Sequence, residues 1–162
     1  MKRILTFTLA FALVALSFSS CSKDKKVPQL AEIWEMPSLS FGSSMSEIES
    51  AEAARGFNVT KDANTLKLSK VVDGVTFDWV YYGDEKGNYL YSTCVLPQQY
   101  TSEIKDYFVN QLKFNQINTK NSDYTIFTDN KTYISLYNPS SAKSFPEKSY
   151  FLVAPFDNDI YS

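Results

Sequence analysis

Residues 65–82 read Thr65-Leu66-Lys67-Leu68-Ser69-Lys70-Val71-Val72-Asp73-Gly74-Val75-Thr76-Phe77-Asp78-Trp79-Val80-Tyr81-Tyr82. Two runs rich in β-branched and aromatic residues flank Asp73-Gly74, a dipeptide that suits the two-residue turn of a hairpin. Closing that turn sets Val72 against Val75, Lys70 against Phe77, Leu68 against Trp79 and Leu66 against Tyr81. One face of the hairpin thereby collects the large apolar side chains. Lys70 is the exception and belongs near an edge. The next turn, Asp84-Glu85-Lys86-Gly87, adds a third strand and predicts Tyr81 against Leu90, Trp79 against Ser92, Phe77 against Cys94 and Val75 against Leu96. Both registers agree with the alternation, as they must where a one-residue slip would turn every side chain over. The opposite face then carries Val80, Tyr82, Tyr89 and Tyr91 at one corner, an aromatic patch of the kind that marks binding surfaces.

Outward from this meander, Leu30–Phe41 reads as an extended lead-in with Trp34 and Leu39 as core contacts. Ser44-Met45-Ser46-Glu47 is a capping box. Met45, Ile48, Ala51 and Arg55 follow at helical spacing and Gly56 terminates, so a helix is expected over 45–55. After Pro97 the pattern recurs. Thr101 is a candidate N-cap, and Ile104, Tyr107, Phe108 and Leu112 form an apolar stripe. Tyr124–Thr128 and Thr132–Tyr137 alternate around a three-residue loop that pairs Ile126 with Ile134 and Tyr124 with Leu136. Tyr150–Ala154 is a last strand. The expected fold is α+β: an antiparallel sheet of about six strands with two helices on one face, built by running helix-three strands twice.

The chain starts with Met1-Lys2-Arg3, an apolar run from Ile4 to Phe18, and Ser19-Ser20-Cys21. That is the layout of an export signal, its apolar run short of the ~20 residues a spanning helix needs. Small-small-Cys resembles the lipobox of bacterial lipoproteins, with Phe18 where most have Leu. The resemblance implies removal of residues 1–20 and acylation of Cys21, with palmitate-type chains, on its sulfur and its amine. Residues 21–29 are then a tether and 30–162 a single globular domain. Together with a helix opening on Phe41-Gly42-Ser43-Ser44 above a three-stranded meander, this is similar to small Bacteroidota lipoproteins of uncharacterised function. It is similar in outline to helix-plus-meander envelope modules of the outer-membrane assembly lipoprotein and β-lactamase-inhibitor type. What the resemblance implies is location and architecture: an outer-membrane lipoprotein, with the basic Ser22-Lys23-Asp24-Lys25-Lys26 favouring the periplasmic face over the cell surface.

Composition removes several function classes. There is no histidine, which excludes Ser-His-Asp and Cys-His catalysis and the usual zinc sets. With Lys2 and Arg3 gone with the signal, 14 basic residues stand against 18 acidic ones, a net charge of −4, and Arg55 is the one arginine left. Nucleic acid is a poor partner for such a chain. Cys94 is the sole thiol besides Cys21, so no disulfide forms within an acylated chain, and its position on the apolar face makes it a buried hydrophobe. Asp157-Asn158-Asp159 lacks the spaced loop and distal Glu of a calcium site. Asp84-Glu85 has no opposed carboxylate pair. Asn58-Val59-Thr60 and Asn130-Lys131-Thr132 match the glycosylation pattern incidentally. No catalytic residue, metal ligand or cofactor is therefore expected. The expectation is a non-catalytic, protein-binding or accessory lipoprotein held to membrane lipid through Cys21. The alternative is a glycan- or small-ligand-binding lipoprotein using the tyrosine-rich sheet face.

Overall fold

The computed structural model describes residues 29–117, 123–137 and 148–156. They form one antiparallel sheet of eight strands: β1 Asn58–Asp62, β2 Thr65–Val72, β3 Val75–Gly83, β4 Tyr89–Pro97, β5 Asn115–Ile117, β6 Tyr124–Thr128, β7 Thr132–Tyr137 and β8 Lys148–Pro155. Three short helices accompany it: α1 Leu30–Ile33, α2 Met45–Ala54 and α3 Thr101–Asp106, the last running on as a π-helical turn over Tyr107–Gln111. This corrects the expected six-stranded α+β fold with two helices. The protein is mostly β, and each half is a helix followed by four strands, not three. The extra strands, β1 and β5, are almost wholly exposed, so no apolar alternation betrays them. One turn of helix, α1, also replaces the start of the extended lead-in.

The strand order β1-β2-β3-β4-β8-β7-β6-β5 reads the same when the halves are exchanged. A pseudo-two-fold axis therefore passes between β4 and β8. The helix exits correspond as well. Arg55-Gly56-Phe57 links α2 to β1, and Leu112-Lys113-Phe114 links the π turn to β5. In the first, Phe57 N–H donates to the Glu52 carbonyl (3.2 Å) and Gly56 N–H to that of Ala53 (3.0 Å), the double bond of a Schellman cap. In the second, the wider π turn takes up one more residue, with Phe114 N–H reaching the Phe108 carbonyl at 2.9 Å. Gly56 and Lys113 both have positive φ, 83° and 60°, and Phe57 and Phe114 are both buried. A side chain in that region costs about 1–2 kcal/mol that glycine does not. Lys113→Gly is thus expected to raise stability by about 0.5–1 kcal/mol, the loss of the exposed Lys113–Asn110 hydrogen bond included. Urea denaturation measures it, and a destabilised variant would refute the equivalence.

The core lies between the sheet and all three helices, because the buried residues of α1, α2 and α3 form one cluster with one face of the strands. One row across it runs Leu66-Tyr81-Ser92-Val153-Ile134-Phe127, and the next Leu68-Trp79-Cys94-Phe151-Leu136. Trp34 fills the space beneath α3, edge-on to Trp79, Tyr107, Phe108 and Phe151 at 5.1–6.4 Å between centroids. The Asp73-Gly74 turn has both residues at positive φ, and every β2–β3 pair is the expected one. Two other registers differ. Between β3 and β4 the turn pairs Gly83 with Tyr89, one residue from the expected register, and a bulge at Tyr82/Gly83 adds a second, giving Tyr81 with Ser92 and Trp79 with Cys94. Between β6 and β7 the pairing moves by one, to Phe127 with Ile134 and Ile126 with Ser135. A single-residue slip inverts a strand. Phe127, not Ile126, therefore joins the helix-side core.

Smaller corrections follow from packing. The capping box forms, with Glu47 N–H on Ser44 Oγ and Ser44 N–H on the Glu47 carboxylate. In α2, however, Ala51 is exposed and Glu52 is buried. Leu39 is exposed. The chain enters α3 through a 3-10 turn over Gln98–Tyr100, so Thr101 is helical and is not its cap. Lys70 lies on the helix side, where its Nζ donates to the Arg55 carbonyl (2.8 Å) at the end of α2.

Candidate functional site

Three of the four residues of the expected aromatic patch are brought together. Val80, Tyr82 and Tyr91 lie on the sheet face opposite the helices, half-buried, and Tyr82 pairs directly with Tyr91. Their rings stack at 4.5 Å between centroids and 14° between planes. Tyr89 is not part of the patch. The bulge leaves Leu90 exposed and turns Tyr89 into the core, where it stacks on Phe41 and meets Tyr81 edge-on. Its hydroxyl donates to Ser92 Oγ (2.9 Å), and burial pushes its pKa well above the ordinary phenol range. Cys21 lies outside the described residues, as do Asp157-Asn158-Asp159.

The patch continues across the sheet. One row on this face runs Thr60-Lys67-Val80-Thr93-Leu152-Ser135-Ile126-Ile117, through all eight strands. Another runs Asn58-Ser69-Asp78-Val95-Tyr150. Tyr133 and Tyr137 alternate with them on β7. The face thus presents stacked and aliphatic surface in the middle and small polar side chains towards β1. Two shallow grooves indent it, of about 340 Å3 over β1–β3 and about 550 Å3 at the β3–β4 end beside Lys148.

Two buried polar clusters on the helix side were not foreseen. Glu52 is fully buried, and its carboxylate accepts from Arg55 Nη1 (2.7 and 2.8 Å), Tyr81 OH (2.5 Å) and Ser38 N–H (3.2 Å). Burial and then the Glu52 charge hold Tyr81 far above the usual phenol pKa. Arg55 also binds Glu35 (2.9 Å) and the Met36 carbonyl (2.8 Å), and its guanidinium lies 5.6 Å from the Phe57 and Trp79 rings. The cluster ties the lead-in to α2 and β3. Both carboxylate oxygens are engaged within the protein and neither meets solvent, so Glu52 has no access to a substrate. The second cluster is buried Cys94 with the indole N–H groups of Trp34 and Trp79, which lie against the Cys94 sulfur without a hydrogen bond of good geometry. Burial pushes the Cys94 thiol well up, the two indole N–H groups opposing this, so no nucleophilic thiolate is present. Among the described residues no group of three acidic or thiol side chains is placed to hold a metal, and no helix is long and apolar enough to cross a membrane. Compared with protein-family models, curated proteins and solved structures, the chain matches none.

Proposed function

We propose that this chain is a non-catalytic envelope lipoprotein, anchored by acylated Cys21, that holds a protein partner on the sheet face opposite its described helices. The observation that carries this reading is the Tyr82–Tyr91 stack beside Val80, with Leu90 exposed at the adjoining bulge. Tyrosine and aliphatic anchors on a rigid strand pair suit a protein contact, because they bury large area at little cost in side-chain entropy. The export signal and Ser19-Ser20-Cys21 support the anchor. Tagged full-length protein captured from detergent-solubilised membranes tests the reading. A co-purifying protein is expected with the wild type and not with Tyr82→Ala/Tyr91→Ala, whose melting temperature should stay within a few degrees. Equal capture by the double variant would remove the tyrosine face as the contact surface.

A further inference from the structure

The groove over β1–β3 is lined by side chains from two adjacent rows of the sheet, Asn58, Ser69 and Asp78 in one and Thr60, Lys67 and Val80 in the next. Strands lie about 4.8 Å apart and same-face residues roughly 7 Å apart along each, so these six side chains form a small grid. Asn58, Thr60, Ser69 and Asp78 are engaged in no side-chain hydrogen bond or ion pair, and Lys67 reaches Asp62 at 3.5 Å. Their hydrogen-bonding capacity is turned outward into one depression. Its volume, about 340 Å3, is at the lower end of the ~300–1,000 Å3 of small-ligand sites.

The chemistry of the grid narrows the ligand. Asn58, Ser69 and Thr60 both donate and accept, Lys67 only donates, and ionised Asp78 only accepts. Lys67 and Asp78 place opposite charges in one groove, so an anion would meet Asp78 and a cation would meet Lys67. A neutral ligand with many hydroxyls uses all five groups. Val80 lines the same groove, and Tyr82 follows two residues along β3 on the same face. They offer apolar surface to the C–H face of a sugar ring. Asp78 also walls the neighbouring groove with Thr76, Val95, Gln99 and Lys148, which leaves room for two or three linked rings. We propose that this groove binds a neutral oligosaccharide. The site borders the protein contact at Val80 and Tyr82 and is told apart from it by Asn58, Ser69 and Asp78, which that contact does not use.

The test is calorimetric titration of the full chain, in a detergent without a sugar head group, with maltotriose, cellotriose, laminaritriose and chitotriose. At least one should bind with a Kd of about 1 mM or tighter. Asp78→Ala and Asn58→Ala should each weaken it at least tenfold. Because neither side chain is hydrogen-bonded within the protein, both variants should melt as the wild type does. Should either fail to fold, Thr60→Ala takes its place. No heat from any trisaccharide at about 10 mM, or binding unchanged in both variants, overturns the proposal. Protein capture that survives Asp78→Ala but fails in Tyr82→Ala/Tyr91→Ala shows the two sites to be independent. Capture lost in Asp78→Ala, with no sugar bound, assigns the groove to the protein partner instead.

Discussion

Replacing Arg55 with alanine is expected to lower the free energy of unfolding by about 3–5 kcal/mol, the cost of leaving a buried charge without its partner. The charge is that of Glu52, which has no exposed surface, while Arg55 keeps 27% of its side chain in solvent. The asymmetry decides which partner matters more. Without Arg55, the Glu52 carboxylate keeps Tyr81 OH and Ser38 N–H but loses its counter-charge and cannot reach water. Without the Glu52 charge, Arg55 still has Glu35, the Met36 carbonyl and solvent. Glu52→Gln retains an acceptor for Tyr81 and should cost only about 1–3 kcal/mol. The double variant Arg55→Ala/Glu52→Gln should be less destabilised than the sum of the two, since it removes both charges together. Urea denaturation of the three variants measures this. Arg55→Ala within 1 kcal/mol of wild type would show that Glu52 is neutral or hydrated in the folded protein.

How far such features can be read from sequence depends on whether local chemistry or distant contacts settle them. The β2–β3 hairpin was legible because Asp73-Gly74 leaves the turn a single geometry, and all its pairs follow. The second turn was not. The Asp84 side chain accepts from the N–H groups of Lys86 and Asn88, whose hydrogen bonds hold its carboxyl below the usual range. The lead-in then docks on the end of β4, with Gly42 N–H on the Tyr89 carbonyl and Tyr89 N–H on that of Ser43. That long-range pairing fixes the bulge which moves Tyr89 inward, and residues 83–91 alone do not contain it. At Asp129-Asn130-Lys131 the deciding detail was again small. Asn130 at φ 68° and the bond from Thr128 Oγ1 to the Thr132 carbonyl set the pairing one residue from the expected loop, inverting β6. A carboxylate in a helix stripe ordinarily reads as surface, so the spacing points to Ala51 and not to Glu52. The one hint was Arg55 three residues on, the sole arginine after Arg3. Of the candidate site, Val80, Tyr82 and Tyr91 followed from alternation along β3 and β4. The groove did not, because half of it comes from β2 and the exposed edge strand β1.

Cys21→Ser is expected to remove the protein from the outer-membrane fraction. Each buried methylene of an acyl chain contributes about 0.8 kcal/mol, one chain holds a protein only reversibly, and the several chains implied by the lipobox hold it stably. No described helix offers a substitute. The domain itself should be untouched, since the first buried residue among those described is Leu30, whose N–H binds the Glu103 carboxylate at 2.6 Å. Serine has no thiol to carry the thioether-linked lipid that the lipobox resemblance implies. The variant should therefore leave the outer-membrane fraction, either released or carrying its 20-residue signal, and should not incorporate a palmitate analogue. Its far-UV circular dichroism and urea midpoint, measured after solubilisation, should match the wild type. A variant of unchanged mass that remains in the outer membrane would remove the anchor, and with it the reading of residues 1–20 as a lipoprotein signal.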